Sequence, residues 1–371
     1  MANSFALRDA DGAVVGYTVV DDEYEIIDIA HDWLQFIRLK GDSLNTVRKY
    51  SADLAYFLTW AKAAGQTVSD APRVMTGFVS LLSTDPIPEG RRNAGRPRSP
   101  ARCNDMLVAV RSFYRWALAH NRVPADLETV LWETATRRGR PVSIGAHRFR
   151  EIRTVTKPTL DEDEMNRLMA VASRNPRDLF ILSLLRFTGM RSGQILGLRL
   201  EDLHLRDDNR RFDDPSGASG GCRVRGPHIH RVRREDNPNG ALNKARHIDD
   251  VAANEALVAA CFDYLPWRNA LPGAANTTML ILNKQGRALG RRYPGRMLER
   301  LSKTAGIEHV GPHMFRHTVA TTLLRKGERR DTVQRVLGQT HPNSLDPYTH
   351  VSDQEQRDAV DRLDAPWMEG L

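Results

Sequence analysis

Residues 188–203 read TGMRSGQILGLRLEDL, and this stretch does most to decide the fold of the second half of the chain. We predict that Gly189 ends one helix, because glycine is the commonest helix terminator, and that Arg191 begins the next. The apolar residues recur at helical spacing, which anchors the segment and leaves Arg191 pointing outward. Its side chain and the positive end of the helix dipole could then address one anion. Taken alone, the stretch fits an ordinary surface arginine better.

A second stretch, PHMFRHTVATTLL at residues 312–324, combines a helix start with two functional side chains. Pro312 is predicted to occupy the first helical position. His313 and Arg316 are three residues apart and therefore lie on one helix face. An arginine can bind the non-bridging oxygens of a phosphate while a histidine donates or shuttles a proton. A solvated polar face on a core helix explains the segment equally well.

Metal binding is the rival interpretation of this region, since His309, His313 and His317 follow one another at intervals of four residues. Pro312 places His309 before the helix, however, and the sequence lacks the acidic residue of the zinc-protease pattern. We therefore expect no metal at these histidines, and no metal or cofactor elsewhere.

Two further residues carry weaker signals. Tyr348 lies in LGQTHPNSLDPYTHV (residues 337–351), where Pro342 and Pro347 predict an irregular segment that can present a side chain to a ligand. In this segment alone, an ordinary core or surface tyrosine is the commoner case. Lys244 lies on a predicted hairpin, where it could protonate a leaving oxygen or simply discourage strand pairing at an edge.

The order arginine, lysine, His-x-x-Arg, tyrosine resembles the tyrosine recombinase (phage integrase) family. The resemblance covers essentially the whole chain, but its specific motifs lie within residues 188–351. Their joint occurrence in this order makes the match specific. The matched positions are Thr188-Gly-Met-Arg191, Lys244, His313-Met-Phe-Arg316 and Leu337-Gly338 followed by Tyr348.

This resemblance implies a helical core-binding domain and a catalytic domain that together clamp duplex DNA. It implies that Tyr348 attacks a phosphate to form a 3′-phosphotyrosine. Arg191 and Arg316 would stabilise the transition state, His313 would assist, and Lys244 would be the general acid. The covalent bond conserves the phosphodiester energy, so no cofactor is implied. The implied active form is a homo-tetramer on two DNA sites.

Three positions depart from the family pattern. Gln339 stands nine residues before Tyr348, where the family usually has histidine or tryptophan, and His341 could take that role instead. Gln194 replaces an acidic residue, and Ala241 stands where the hairpin often has a first lysine.

These departures motivate an alternative from another class, a DNA-binding regulator that keeps the recombinase fold without chemistry. A type IB topoisomerase is a third possibility that shares the chemistry. The presence of the tyrosine and both arginines argues against the regulator. The modest length and compact two-unit layout favour a site-specific recombinase, for integration, excision or transposition, over the topoisomerase.

The periodicity predicts a mainly α fold with a small antiparallel β-sheet in two domains. Residues 1–22 are expected to form an N-terminal segment such as an extended arm, residues 23–150 an all-helical core-binding domain, and residues 151–371 the catalytic domain with its tail. A basic Gly/Pro-punctuated linker is predicted over 135–158 and a hairpin within 222–251. Further predicted elements are a strand at 279–282 and a helix at 353–363.

The charge of the chain fits a nucleic-acid partner, but GC-rich coding also favours arginine and explains the composition equally well. Among 371 residues there are 54 Lys and Arg against 46 Asp and Glu, giving a net charge of +8 and a pI near 9.6. Most of the basic residues are arginines, whose planar fork fits phosphate oxygens. The alternative for the basic loop at 86–100 is a solvated linker, and for the basic stretch at 135–158 it is an ordinary surface loop. The predicted contacts to double-stranded DNA are Arg91, Arg92, Arg96, Arg98, Arg148 and Arg150.

Other features of the sequence concern location. No apolar run is long enough to span a bilayer, and the N-terminus lacks the pattern of a secretory signal. Three widely spaced cysteines predict no disulfide framework. We therefore expect a cytoplasmic protein.

Overall fold

A computed structural model describes residues 1–89, 94–137, 140–150, 158–206, 221–243 and 248–339 of the chain. The chain divides into two compact units, Met1–Arg153 and Thr154–Leu371, each with its own hydrophobic core. Helices dominate both units, and the described strands form small antiparallel sheets. The predicted fold class, mainly α with antiparallel sheet, is confirmed.

The first unit is built on an aromatic core of helices. Trp33, Phe57, Phe78 and Phe113 are fully buried, and Phe57 meets Phe78 edge to face at 5.0 Å between ring centroids. Ser43 and Ser99 cap α2 and α4, since each side chain accepts a backbone N–H of the first turn. The elements are β1 Asn3–Arg8, β2 Val14–Val20, α1 Asp28–Leu39, α2 Leu44–Ala63, α3 Met75–Thr84, α4 Pro100–Ala119, α5 Leu127–Leu131, β3 Trp132–Arg137 and β4 Arg140–Gly145.

The N-terminal segment is not an extended arm. Strands β1 and β2 pair antiparallel, and Val19 is fully buried against α1 and α2. The sequence contained the signal, because Asp11-Gly12 is a strong hairpin turn and Val14–Val20 is rich in β-branched residues. Burial of one strand face joins this segment to the helical core.

A second hairpin occupies part of the region predicted as a linker. Strand β3 pairs with β4 in register from Trp132↔Gly145 to Arg137↔Arg140. The expectation of an all-helical first unit is therefore wrong. Both strands are short and largely exposed, so they lack the apolar alternation that identifies a half-buried strand in sequence.

The second unit surrounds helix α7, which is apolar on most sides and packs against neighbours all round. Asp161 caps α6 through a reciprocal pair of hydrogen bonds with Glu164. The elements are α6 Glu162–Ala172, α7 Pro176–Thr188, α8 Ser192–Leu196, β5 Leu203–His204, β6 His228–Arg231, β7 Asp249–Ala252, α9 Glu255–Asn269, α10 Tyr293–Ala305, α11 Pro312–Arg325 and α12 Arg330–Leu337.

The sheet of the second unit has the order β5-β6-β7 and is antiparallel throughout. The predicted hairpin within 222–251 is confirmed as β6 and β7, with a turn closed by the Gly240 N–H on the Asn237 carbonyl. The predicted strand at 279–282 forms only isolated bridges, at Met279 and Leu282. The predicted helix at 353–363 lies outside the described residues. No described helix has the length and apolarity needed to cross a bilayer.

Candidate recombination site

Gly189 is the point at which three segments of the second unit meet. It ends α7 in the left-handed conformation, with a φ of 59°. A Cβ at this position would lie 2.6 Å from Leu337 Cδ2 and 3.5 Å from Val319 Cβ. Thr188 closes the turn, because its hydroxyl accepts the Met190 N–H at 3.2 Å. Only glycine therefore allows α7 to end against both α11 and α12.

Arg316 is anchored at this junction. Its side chain is buried, with 3% exposure, and Nη1 donates to the Gly189 carbonyl at 2.9 Å. His313 lies one turn earlier on α11 and is exposed. The predicted helix start at Pro312 is confirmed. The side chains of His313 and Arg316 lie on the same helix but differ in burial. Arg316 is thus positioned by the end of α7, whereas His313 is open to solvent.

Arg191 precedes the one-turn helix α8, as its N-cap residue, and is half-buried. Its backbone N–H donates to Gln194 Oε1 at 2.9 Å. The predicted helix begins one residue later than expected and is short, at Ser192–Leu196. A helix of five residues has a weak dipole, so the suggested dipole contribution to anion binding falls away and the guanidinium itself carries the charge.

Gln194 uses both ends of its amide. Besides accepting from Arg191, it donates from Nε2 to Asn243 Oδ1 at 3.1 Å, and Asn243 Nδ2 donates to the Arg231 carbonyl at 2.9 Å. Gly193 reinforces this contact, because a Cβ there would lie 2.8 Å from the Leu242 carbonyl oxygen. The turn that carries Arg191 is therefore fixed to the residues just before Lys244. Where the family has a supporting carboxylate, this chain has an amide network instead.

Arg231 is a supporting residue that the sequence analysis missed. It is almost fully buried, and its Nε donates to Asp249 Oδ1 at 2.8 Å, while Nη1 donates to the Val336 carbonyl at 2.7 Å and Nη2 to the Arg335 carbonyl at 3.0 Å. Burial lowers the pKa of Arg231, and Asp249 opposes that shift. The guanidinium thereby satisfies the last carbonyls of α12. The available signal in the sequence was a basic residue at the end of one hairpin strand and two acidic residues at the start of the other.

Gly338 and Gln339 follow directly after α12. Gly338 has a φ of 59°, and a Cβ there would lie 2.6 Å from Asp249 Oδ2 and 3.0 Å from the Arg231 guanidinium carbon. The Leu-Gly pair of the motif is thus explained by two close contacts, Leu337 on Gly189 and Gly338 on the Arg231–Asp249 pair. The Gln339 N–H donates to the Gln334 carbonyl, and its Oε1 is buried with no hydrogen-bond partner among the described residues.

The structure therefore brings together the segments that carry four of the predicted site residues. Arg191, Arg316 and Gln339 lie on three segments that contact one another at Gly189, and His313 lies one helical turn from Arg316. The other three predicted residues, Lys244, His341 and Tyr348, lie outside the described residues.

The basic residues of the loop at 86–100 differ in role. Arg96 is exposed, whereas the Arg98 side chain is 8% exposed and donates to the Asp85 carbonyl at 2.7 Å and to Asp85 Oδ2 at 3.0 Å. The Arg98 guanidinium also lies 4.8 Å from the centre of the Tyr56 ring. Arg98 therefore holds the loop to the helices, in contrast to its predicted DNA contact. Arg91 and Arg92 lie outside the described residues.

A second basic region lies where the first unit approaches its end. Arg148 and Arg150 are exposed, and Phe149 between them is fixed by two backbone hydrogen bonds with the Asn104 side chain, at 2.8 and 3.0 Å. Arg111 and Arg115, which the sequence analysis did not single out, lie beside them. Burial lowers the pKa of Arg111, and the charges of Arg115 and Arg148 lower it further. Their spacing of four residues on α4 places both on one face.

The comparisons with known proteins agree with this geometry. The sequence model described as Phage integrase family matches residues 158–355, more than half of the chain. The XerC tyrosine recombinase of Thermodesulfovibrio yellowstonii is 26% identical over 326 residues, covering 86% of this chain and 90% of that protein. Transposase A of transposon Tn554 from Staphylococcus aureus is 25% identical and covers 93% of both chains.

Solved structures show the same fold. A XerH site-specific recombinase in a post-cleavage complex with its difH substrate superimposes with a TM-score of 0.59 at 18% identity, covering 92% of this chain and 90% of that one. The Tn1549 transposon integrase bound to circular intermediate DNA also gives 0.59, at 15% identity with 90% and 99% coverage. The chain thus belongs to the phage integrase family, the tyrosine recombinases.

Proposed function

We propose that the protein cleaves and rejoins DNA strands through a covalent bond to Tyr348. The phenolic oxygen of Tyr348 attacks the scissile phosphorus, and the phenol proton passes to His313 or to water. As the new phosphorus–oxygen bond forms, the bond to the 5′ oxygen breaks, and Lys244 supplies the proton that leaves a 5′-hydroxyl. Attack by a 5′-hydroxyl of another strand reverses each step and releases the tyrosine. The approach at Gly189 of the three segments that carry Arg191, Arg316 and Gln339 is the observation that supports this proposal.

Two guanidinium groups supply the electrostatic part of the mechanism. The phosphorane-like transition state gains negative charge on its non-bridging oxygens, and arginine forks bind such oxygens bidentately. Arg316 is oriented in advance by its bond to the Gly189 carbonyl, so little reorganisation is needed when the phosphate arrives. Arg191 belongs to a turn that Gln194 fixes to Asn243. The charges are therefore held by backbone and amide contacts.

In this family a histidine usually lies beside the phosphate, and we assign that position here to Gln339. Its backbone is fixed by the Gly338 contact with Asp249 and by the Gln334 carbonyl, so its amide lies at the end of α12. An amide donates a hydrogen bond without a proton that titrates near neutral pH. We therefore expect Gln339→His to be tolerated, with activity that gains a new dependence on pH near the histidine pKa of about 6.5.

We infer that the first unit binds the backbone of duplex DNA through Arg96, Arg115, Arg148 and Arg150. Beside burial, which contributes most, the charges of Arg115 and Arg148 lower the pKa of Arg111, and phosphate groups would relieve that repulsion. We further propose that a homo-tetramer acts on two DNA sites and that the protein works in the cytoplasm, where such DNA is found. The recombinase structures that were solved with DNA support DNA binding by this chain through the shared fold only.

The test is a covalent trap. Full-length protein is incubated with nicked duplexes tiled across the DNA that flanks its own gene, and adducts that survive denaturant are resolved on a gel. Wild type and the control Tyr24→Phe, which alters an exposed tyrosine in the first unit, should both form the adduct. Tyr348→Phe should form none while retaining DNA affinity.

The alternative functions give different results. DNA binding without an adduct on any duplex would favour the non-catalytic regulator, and an adduct that persists in Tyr348→Phe would overturn the choice of nucleophile. Strand exchange between two labelled duplexes distinguishes a recombinase from a topoisomerase, which rejoins strands of one DNA.

A further inference from the structure

A cluster of four side chains in the second unit is separate from the recombination site. His204 of β5, Cys222 and the β6 residues His228 and His230 are all buried, with exposures between 1% and 4%. One ligand atom from each residue lies within 4.8 Å of every other. Buried polar groups are costly unless they are satisfied, so the burial of three imidazoles and a thiol at one place requires a reason.

The spacing of these atoms matches a tetrahedral metal site. Cys222 Sγ lies 3.2 Å from His228 Nε2 and 3.4 Å from His230 Nε2, and the two Nε2 atoms are 3.2 Å apart. Metal–ligand bonds of about 2.0–2.1 Å to nitrogen and 2.3 Å to sulfur separate ligand atoms by roughly 3.3–3.6 Å in a tetrahedron. His204 completes the set, with its ring centroid 4.7 Å from that of His230 and 5.0 Å from that of His228.

The orientation of the rings supports metal binding. His228 and His230 are two residues apart on β6, so both side chains project from the same strand face. His228 Nδ1 lies 2.8 Å from the Gly226 carbonyl, to which it donates, and this leaves the Nε2 lone pair directed into the cluster. Such a hydrogen bond from the second ring nitrogen to a backbone carbonyl is typical of metal-bound histidine.

Hydrogen bonds alone are the competing explanation. The Cys222 thiol can donate to His228 Nε2, and His230 can donate to the sulfur. In that arrangement the Cys222 thiol and the imidazoles of His228 and His230 form a chain of donors and acceptors. It does not explain why His204, on a different strand, brings a third ring into the same space. A single cation satisfies all four groups at once.

We propose that His204, Cys222, His228 and His230 bind one Zn²⁺ ion as a structural site. Three imidazoles and one thiolate suit Zn²⁺, and four protein ligands fill its tetrahedron, leaving no position for substrate. The site connects β5, β6 and the segment before β6, which is a region of short strands with little apolar surface of its own. The proposal departs from the sequence-based expectation of no metal, which weighed a ligand set only at His309, His313 and His317.

Metal content is the first test, made on untagged full-length protein purified from zinc-supplemented medium. We expect about one zinc per chain after dialysis, since a structural site of this kind binds tightly at neutral pH. The double variant Cys222→Ala/His230→Ala should retain less than roughly a tenth of that amount. The matched control is Cys261→Ala, which removes a buried thiol elsewhere in the same unit and should keep its zinc.

Cobalt substitution provides a readout that does not depend on how well the variants fold. Metal-free wild type titrated with Co²⁺ should develop the intense visible bands of a tetrahedral ion, together with a thiolate-to-cobalt charge-transfer band. Chelator should also lower the melting temperature of wild type. If wild type holds no zinc, takes up none and melts unchanged with chelator, the cluster is a hydrogen-bonded one and the proposal is wrong. Tetrahedral bands without the charge-transfer band would remove Cys222 from the ligand set.

Discussion

Replacing Gln194 by glutamate separates what the family pattern suggests from what this structure requires. Gln194→Glu restores the acidic residue that the family usually has at this position, so the resemblance alone predicts an equal or better enzyme. In the structure, however, Gln194 Nε2 donates to Asn243 Oδ1. A carboxylate has no proton to donate, and the two oxygens would face each other. Reversal of the Asn243 amide does not help, because its oxygen would then face the Arg231 carbonyl.

The size of the effect follows from the burial of this contact. Gln194 is 4% exposed and Asn243 is 3% exposed, so water cannot replace the lost hydrogen bond. An unsatisfied buried pair costs about 1–3 kcal/mol, which for a unit of this size lowers the melting temperature by roughly 2–12 °C. The same change loosens the residues before Lys244, so the rate of adduct formation should fall together with stability.

The defect should depend on pH in a defined direction. Burial raises the pKa of a carboxyl group, so the carboxyl group that Gln194→Glu introduces would be more easily protonated in the folded protein than in the unfolded chain. A protonated carboxyl can donate to Asn243 and restores the bond. The difference in unfolding free energy between wild type and the variant should therefore be small below the unfolded pKa of about 4.3 and grow as pH rises through the higher folded value.

Urea unfolding at pH 4.5 and pH 7.5 measures this difference. The control Gln285→Glu makes the same chemical change at an exposed position and should leave stability unchanged at both pH values. A Gln194→Glu protein as stable as wild type at pH 7.5 would refute the reasoning and show that the carboxylate of the family can be accommodated without the amide network.

Two other predictions compare residues of the same type in different surroundings. Gly338→Ala should destabilise more than Gly306→Ala in urea unfolding: both have positive φ, which costs alanine about 1–2 kcal/mol, but only Gly338 has an atom, Asp249 Oδ2, within 3 Å of the new methyl group. Equal losses would contradict the close contact. Arg98→Ala should lower the unfolding free energy by about 1–3 kcal/mol, whereas Arg96→Ala should leave it within about 0.5 kcal/mol. Arg96→Ala should instead reduce the slope of log affinity for DNA against log salt concentration by about one, as filter binding at several salt concentrations measures.

Local signals in the sequence predicted most of the helices. Ser43, Ser99 and Pro312 mark helix starts because capping depends on neighbouring residues only. The β1–β2 hairpin was missed although Asp11-Gly12 marks its turn locally, whereas the β3–β4 hairpin was missed for a physical reason. Strand pairing depends on residues across the pair, and the exposed strands β3 and β4 have no buried face to impose alternation.

The candidate site was predicted by residue type and order, but its support was not. Arg231 donates to carbonyls of α12 about a hundred positions later, and Gly189 contacts Leu337 across an even longer stretch of chain. No periodicity or spacing encodes such contacts. Gln194 shows most clearly what the sequence cannot predict. Its residue type indicates that the negative charge of the family's acidic residue is lost, whereas the structure shows that its amide both accepts and donates a hydrogen bond.

Strand β6 connects the proposed zinc cluster with the support of the recombination site. Its side chains alternate, so His228 and His230 face the cluster while Ile229 and Arg231 face the other way, into the core and toward α12. A metal bound on one face would therefore fix the register of the strand that carries Arg231 on the other. Because Arg231 holds the end of α12, and Gln339 follows that end directly, loss of the metal should weaken the arrangement of Gln339 while leaving Arg316, which is held by Gly189, in place.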